Sequence, residues 1–223
     1  IEGTFDDCQD LVKGMFNDEI FRDDLNLSAV NSINWARVMV QIVYYFFAVS
    51  RLNKYERPIS FIVPTGNFGN VYAGYSAIQM GLNASRLVVA SNHNDILTRF
   101  FETGDMSIMP VKESLSPSMD IQVSSNFERL LFDFYDRDGE AVSNSIKMFR
   151  EEGTLPGGNK IHALANDIFS GYRTDDEGTL LAIKQLYDDK GVLVDPHTAV
   201  GLGALKQLEN SKTLNVVLAT AHP

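Results

Sequence analysis

A chain of 223 residues, of which 44% are hydrophobic, can bury a substantial core, and this length favours one large domain or one domain with part of another. The formal net charge of -10 argues against a nucleic-acid-binding surface, because neutralising phosphates requires clustered lysine and arginine that no segment supplies. A single cysteine, Cys8, excludes an internal disulfide, and the first residues lack a secretory signal pattern, so the cytoplasm is the expected location.

Apolar residues recur at helical spacing along much of the chain, often after a Ser or Asn cap. The longest apolar run, residues 35–49, is interrupted by Arg37 and Gln41 and is shorter than the roughly 20 residues that cross a bilayer. It therefore predicts a buried helix. The predicted helices are residues 6–17, 33–51, 71–80, 96–103, 127–135, 140–151 and 198–208.

Short apolar runs alternate with these helices and predict strands. They are hydrophobic throughout instead of alternating, as a parallel sheet covered on both faces requires. Helices between successive strands predict an α/β fold with a doubly wound, mostly parallel sheet. Residues 103–125 show no clear period and predict a long irregular excursion, and the glycine-rich residues 153–158 predict a turn between two helices. The predicted strands are residues 59–63, 87–90, 191–194 and 215–219.

The strongest local motif is PTGNFGN, residues 64–70, between a predicted strand and a predicted helix. Glycines let the backbone turn sharply and approach a ligand, and the helix start offers unpaired N–H groups and a positive dipole end. The loop is neither a Walker loop, since no Lys-Ser/Thr pair closes it, nor a full GxGxxG fingerprint. It predicts an anion cradle in which backbone donors, helped by Thr65 and Asn67, hold a phosphate. The alternative is an ordinary tight turn.

Other polar residues follow strands or precede helices, and each also has an ordinary structural explanation. Asp195 and Pro196, in DPHTAVG, suit the start of a helix, so capping explains most of that motif. Thr220 and His222 end the last apolar run at the sheet edge where ligands gather, although a histidine in this position is more often a surface or hydrogen-bonded residue than a catalyst. Asn94 follows another strand, where turn chemistry also favours asparagine. The histidines share no metal-ligand spacing, so no metal is expected.

Several strings in order resemble threonine synthases over nearly the whole chain: SINWARVMVQIVYYF, FIVPTGNFGNVYAGY, SPSMDIQVSSNFERLLFD, DPHTAVGLGAL and LATAHP. The resemblance implies the tryptophan synthase beta-like fold of fold-type II pyridoxal-phosphate (PLP) enzymes, in which two α/β domains enclose the cofactor. Residues 1–30 would end the smaller domain, and residues 31–223 would form most of the larger. It also implies a lyase that converts O-phospho-L-homoserine and water to L-threonine and phosphate, with the cofactor ring as electron sink.

The resemblance also implies site residues. Thr220 stands where fold-type II enzymes place a hydroxyl against the pyridine nitrogen of the cofactor. Four further residues are expected near the substrate cleft: Ser32, Asn34, Asn94 and His222. The loop that holds the cofactor phosphate is matched by Thr65, Gly66, Asn67, Phe68, Gly69 and Asn70.

Two parts of the family pattern are missing from this sequence. Neither a string like HGPTLAFKD, which carries the family's Schiff-base lysine, nor one like TSGDTG, which binds the substrate carboxylate, occurs here. No catalytic residue is therefore assigned. With its first residue Ile1, the chain is expected to be the C-terminal piece of a longer polypeptide, to need the N-terminal part as its partner and to be inactive alone. Two alternatives stay open: another PLP-dependent lyase of the serine/threonine dehydratase type, and a non-catalytic phosphate-ligand binding module.

Overall fold

The computed structural model describes residues 2–3, 5–29, 34–52, 56–208 and 212–223. Helices and strands alternate through most of this range, and one 3-10 turn occurs at Pro117–Met119. The elements are α1 (Phe5–Asn17), α2 (Glu19–Asp24), α3 (Trp35–Leu52), β1 (Ile59–Pro64), α4 (Gly69–Gln79), β2 (Arg86–Ser91), α5 (Ile96–Thr103), α6 (Phe127–Phe134), α7 (Gly139–Glu152), α8 (Gly158–Ala165), β3 (Phe169–Arg173), α9 (Asp176–Lys190), α10 (Pro196–Gln207) and β4 (Leu214–Val217).

The four described strands form one parallel sheet in the order β3-β2-β1-β4. Successive residues of β1 point to opposite faces. Phe61 belongs to the larger core with α3 to α8, whereas Ile62 packs with Val88 and Val200 under α10. Because both faces are covered, all six residues of β1 are buried. The predicted α/β fold with a doubly wound parallel sheet is confirmed.

The predicted strand at residues 191–194 is wrong. Gly191 ends α9 in a left-handed conformation with φ 66°, and the next residues run unpaired to α10 with Val192 48% and Leu193 56% exposed. The third strand along the chain is β3 instead, which the sequence pattern missed along with α2, α8 and α9. Gly171 interrupts the apolar pattern of β3 because a Cβ atom there would lie 2.7 Å from Thr98 Cα on α5.

The long connection after α5 is irregular from residue 104 to residue 126, apart from its 3-10 turn. Residues 153–157 form the predicted turn between α7 and α8. We call residues 104–126 the excursion.

Among the described helices, none is long and apolar enough to cross a membrane.

Candidate functional site

A cavity of about 1010 Å³ opens at the carboxyl edge of the sheet, where β1 and β4 end. The loop after β1 lines it, together with Thr220 after β4, His197 at the start of α10 and one side of α3. All seven residues predicted to bind a cofactor meet at this cavity: Thr65, Gly66, Asn67, Phe68, Gly69, Asn70 and Thr220. Residues 155 positions apart in sequence are thereby brought together by the crossover from β1 to β4.

The loop after β1, residues 65–70, is anchored from below by Phe68. Its side chain is fully buried, with ring centroids 5.4 Å from Phe127 and 6.0 Å from Phe169. The Phe68 backbone is left-handed, with φ 63°, and its N–H donates to Thr65 Oγ1 at 3.2 Å. A non-glycine residue in this conformation costs of order 1 kcal/mol, which the aromatic packing offsets.

Several backbone donors of this loop have no acceptor among the described residues. They are the N–H groups of Gly66, Asn67, Gly69 and Asn70, whereas Tyr72 N–H already donates to Phe68 O at 2.8 Å as the first helical bond of α4. Donors at a helix start and the positive end of the helix dipole both favour an anion. The loop therefore presents a set of amides suited to a phosphate group.

The excursion packs against the loop on the side opposite the Phe68 ring. A Cβ atom at Gly66 would lie 2.9 Å from Ser118 O and 3.1 Å from Met119 Cα, so only glycine fits there. Ser124 Oγ donates to Gly66 O at 2.8 Å, and Ser125 Oγ donates to Asn67 Oδ1 at 3.1 Å. The first bond satisfies the Gly66 carbonyl, and neither bond uses a loop N–H, so the loop amides stay available to a ligand.

Two tyrosines of α3 hold the far end of the loop. Tyr44 OH donates to Asn70 Oδ1, and Tyr45 OH donates to Asn70 O at 2.8 Å. Burial raises the pKa of both phenols well above their ordinary value. Both hydroxyls therefore stay protonated donors at neutral pH and serve to hold Asn70.

The DPHT motif caps α10, as the sequence predicts. Asp195 Oδ1 accepts the N–H groups of His197 at 2.8 Å and Thr198 at 3.1 Å. His197 also lines the cavity, and Thr220 N–H donates to Thr198 Oγ1 at 3.2 Å; neither contact was predicted from the sequence. Capping alone accounted for the motif, so no local signal pointed to these contacts.

Comparisons with known proteins point to one family. No protein-family model matches the sequence. The threonine synthase of Pseudomonas aeruginosa is 48% identical over 224 residues, an alignment that includes 100% of this chain and 48% of that protein. A crystal structure of a PLP-bound threonine synthase from Brucella melitensis, also 48% identical, superposes with a TM-score of 0.88 over 100% of this chain and 48% of that one.

The chain belongs to the threonine synthase family. It spans about half the length of the curated threonine synthases it matches. An L-serine ammonia-lyase from Rhizomucor miehei is 12% identical, with a TM-score of 0.53 over 82% of this chain and 51% of that one. That likeness concerns the fold alone, which is that of fold-type II PLP enzymes. Similarity in sequence therefore favours threonine synthase over the dehydratase alternative.

The four residues expected near the substrate cleft of this threonine synthase region lie elsewhere or are not described. Asn34 caps α3, since its Oδ1 accepts Ala36 N–H at 3.0 Å. The Asn94 amide donates to Lys112 O at 2.8 Å in a buried network, and exposed His222 faces Pro223 O. None of these three lines the cavity. Ser32 lies outside the described residues, and substrate contact by all four stays a prediction.

The charged residues of the cavity also bear on its chemistry. Among the described residues that line it, no carboxylate and no lysine occurs, while Arg37 contributes a positive charge. The walls are thus compatible with a dianion. The lining residues that the structure describes hold no amine that could bind a cofactor covalently.

Proposed function

We propose that the full-length polypeptide containing this chain converts O-phospho-L-homoserine and water to L-threonine and phosphate, and that this chain supplies the phosphate site of pyridoxal 5'-phosphate. Four loop amides carry this proposal, because they have no acceptor among the described residues and lie in one cavity with Thr220: those of Gly66, Asn67, Gly69 and Asn70. The name of the Brucella melitensis structure, a PLP-bound threonine synthase, supports the choice of cofactor.

The loop suits the cofactor phosphate in charge and shape. A phosphate dianion gains most from amides at a helix start, and no lining carboxylate among the described residues opposes it. Gly66 lets the backbone lie directly against the excursion, where a side chain would collide. Since Phe68 fixes the loop from the core, its amides are oriented before any ligand binds.

We assign Thr220 to the pyridine nitrogen of the cofactor. Its hydroxyl is neutral, so it would orient the ring without favouring ring protonation as strongly as a carboxylate would. Pyridoxal phosphate, when bound, supplies an electron sink for carbanions formed on the substrate. This chain's residues hold the phosphate and orient the ring, while the proton-transferring lysine is assigned to the N-terminal part of the polypeptide.

The outer face of α3 supports a larger parent protein. Its apolar side chains include Val40 at 63% exposure, Val43 at 65% and Phe47 at 56%, and Phe47 also lines the cavity. Because the relatives are about twice as long, we assign this face to contact with the N-terminal part. Residues 1–30 would then end the smaller domain and residues 31–223 form most of the larger, with the cytoplasm as the expected location.

Activity assays on two forms of the protein test this function. The full-length polypeptide should release phosphate from O-phospho-L-homoserine with equimolar threonine, and the 223-residue chain alone should not. Ammonia release from threonine or serine, without phosphate release from the phosphorylated substrate, would instead identify a dehydratase. Absence of both activities, with a pyridoxal phosphate fluorescence change on titration, would identify a binding module.

A phosphorus NMR experiment tests the cofactor site independently of turnover. The signal of the cofactor phosphate bound to the full-length polypeptide should broaden or shift when Gly66 or Asn67 is substituted. A signal unaffected by substitutions in residues 65–70 would place the phosphate elsewhere and overturn the assignment.

A further inference from the structure

Two buried polar side chains lie just behind the cavity wall. Asp195 is 3% exposed and Thr198 is 5% exposed, and neither lines the cavity. They connect three residues that do line it: His197, Ser118 and Thr220. These three come from α10, from the excursion and from the segment after β4, which are otherwise separate parts of the chain.

The first connection runs from Asp195 to Thr220. The hydroxyl of Thr198 donates to Asp195 Oδ2, so its oxygen is left to accept the N–H of Thr220 at 3.2 Å. Helix capping requires only the two bonds from backbone N–H groups to Asp195 Oδ1. The Thr198 hydroxyl bonds are additional to capping, and they fix the backbone at Thr220.

The second connection runs from Asp195 to the excursion. An ionised carboxylate only accepts hydrogen bonds, so His197 Nδ1, 3.1 Å from Asp195 Oδ1, carries the proton. His197 Nε2 is then an acceptor, and it receives the N–H of Ser118 at 3.3 Å. Ser118 O is the atom that packs against Gly66. The same carboxylate thus reaches the phosphate loop through His197.

The ionised state of Asp195 is consistent with its surroundings. Burial by itself raises the pKa of this carboxyl, but hydrogen bonds from Thr198 and His197 outweigh burial and hold the pKa below its ordinary value. The carboxylate is therefore charged near neutral pH, as both connections require.

We propose that Asp195 and Thr198 are positioning residues that set where Thr220 meets the ring end of the cofactor, while Asp195 and His197 hold Ser118 against the phosphate loop. This inference rests on the proposed function, since it needs the cofactor in this cavity. Neither Asp195 nor Thr198 is expected to touch cofactor or substrate.

The test uses the full-length holoenzyme with Thr198→Val, which removes the hydroxyl but keeps a branched side chain. We expect the absorbance and fluorescence maxima of the bound cofactor to move and kcat to fall about fivefold, as for one lost hydrogen bond, with KM nearly unchanged. Thr198→Ser should restore both readouts. Asp195→Asn, which can still cap α10, should move the spectra in the same way.

Thr179→Val is the matched control. Thr179 is 1% exposed and its hydroxyl donates to Asp175 O, near the start of α9 and away from the cavity lining. This variant should lower thermal stability and leave the cofactor spectra unchanged. Unchanged spectra and kcat in a folded Thr198→Val holoenzyme, or failure of Thr198→Ser to restore them, would overturn the inference. Lack of cofactor binding or turnover in the unsubstituted polypeptide would instead overturn the proposed function.

Discussion

Two neighbouring strands, β1 and β2, end at the same edge of the sheet, and each is followed by asparagines, yet the polar groups of the two segments are bonded differently. After β1, residues 65–70 line the cavity and keep several amides with no acceptor among the described parts of the chain. After β2, Asn92 Nδ2 donates to Asp120 Oδ1 at 2.7 Å, and Asn94 Nδ2 donates to the same oxygen at 2.9 Å. The polar groups of the second segment are bonded within the protein.

The difference shows that position at the carboxyl edge of a parallel sheet does not by itself make a ligand site. Unpaired donors are also needed, and the excursion decides where they remain. Its Asp120 satisfies the asparagines after β2, whereas its Ser124 bonds a carbonyl of the loop after β1 and leaves the loop amides available. Substitutions in the two segments should therefore have separate effects.

The largest expected effect is on cofactor affinity at Gly66. Gly66→Val places atoms against the Ser118 carbonyl and Met119 backbone, and overpacking of this kind costs about 1–3 kcal/mol. Pyridoxal phosphate should bind the full-length polypeptide roughly 10- to 100-fold more weakly by fluorescence titration. Gly14→Ala is the control, because nothing lies within 4 Å of a Cβ there and affinity should not change. Equal affinity for Gly66→Val and the unsubstituted protein would contradict the close packing.

The second effect is on stability and concerns the segment after β2. Asn94→Ala removes a buried amide that bonds both the N–H and the C=O of Lys112 and that donates to Asp120. Losing these three hydrogen bonds should lower the free energy of unfolding by about 1–3 kcal/mol. Urea denaturation measures this loss. Cofactor affinity should stay within about twofold, because a stability effect need not reach the loop. A large loss of affinity would instead indicate that Asn94 takes part in ligand binding.

The third and smaller effect is a loss of cofactor affinity without a loss of stability. Asn67→Ala removes a side chain that lines the cavity and that, within the described part of the chain, accepts one bond, from Ser125. Cofactor affinity should fall about fivefold, while the urea midpoint changes little. Loss of stability without loss of affinity would show that Asn67 supports the excursion only.

The smallest effect is the contribution of Asp195 to stability at acidic pH. Its folded pKa is lowered, so the stabilisation is complete above the unfolded pKa of about 3.9 and is lost as the pH falls through the folded value. Asp195→Asn has no such group. Thermal unfolding from pH 6 downward should therefore show a steeper loss for the unsubstituted protein than for the variant below about pH 4. Parallel curves would contradict the lowered pKa.

The sequence predicts those parts of the site that depend on local backbone chemistry. PTGNFGN reads directly as a loop with available amides, and residues 65–70 do line the cavity. Prediction from local sequence fails where residues distant in the chain determine whether a polar group is already hydrogen-bonded. Asn94 looks like Asn67 in sequence, but Asp120, 26 positions away, engages its amide. DPHT reads as a cap, and its contact with Thr220 becomes visible only in the fold.

The fold shows the same limit. Apolar runs at β1 and β2 predict strands because both faces are buried. The run at residues 191–194 is equally apolar but remains largely exposed, and no period separates the two cases. β3 was missed because Gly171, which close approach to α5 requires, interrupts its apolar pattern.

The anchoring of Phe68 would couple retention of the proposed coenzyme to the heat resistance of the fold. The ring that shapes the loop amides stacks on Phe101, which stacks in turn on Phe169, at the centre of the folded unit. A bound coenzyme that holds the loop in place must therefore raise the melting temperature of that aromatic centre. Conversely, a core replacement such as Phe169→Leu, at a residue that does not line the cavity, should release the coenzyme before the chain unfolds.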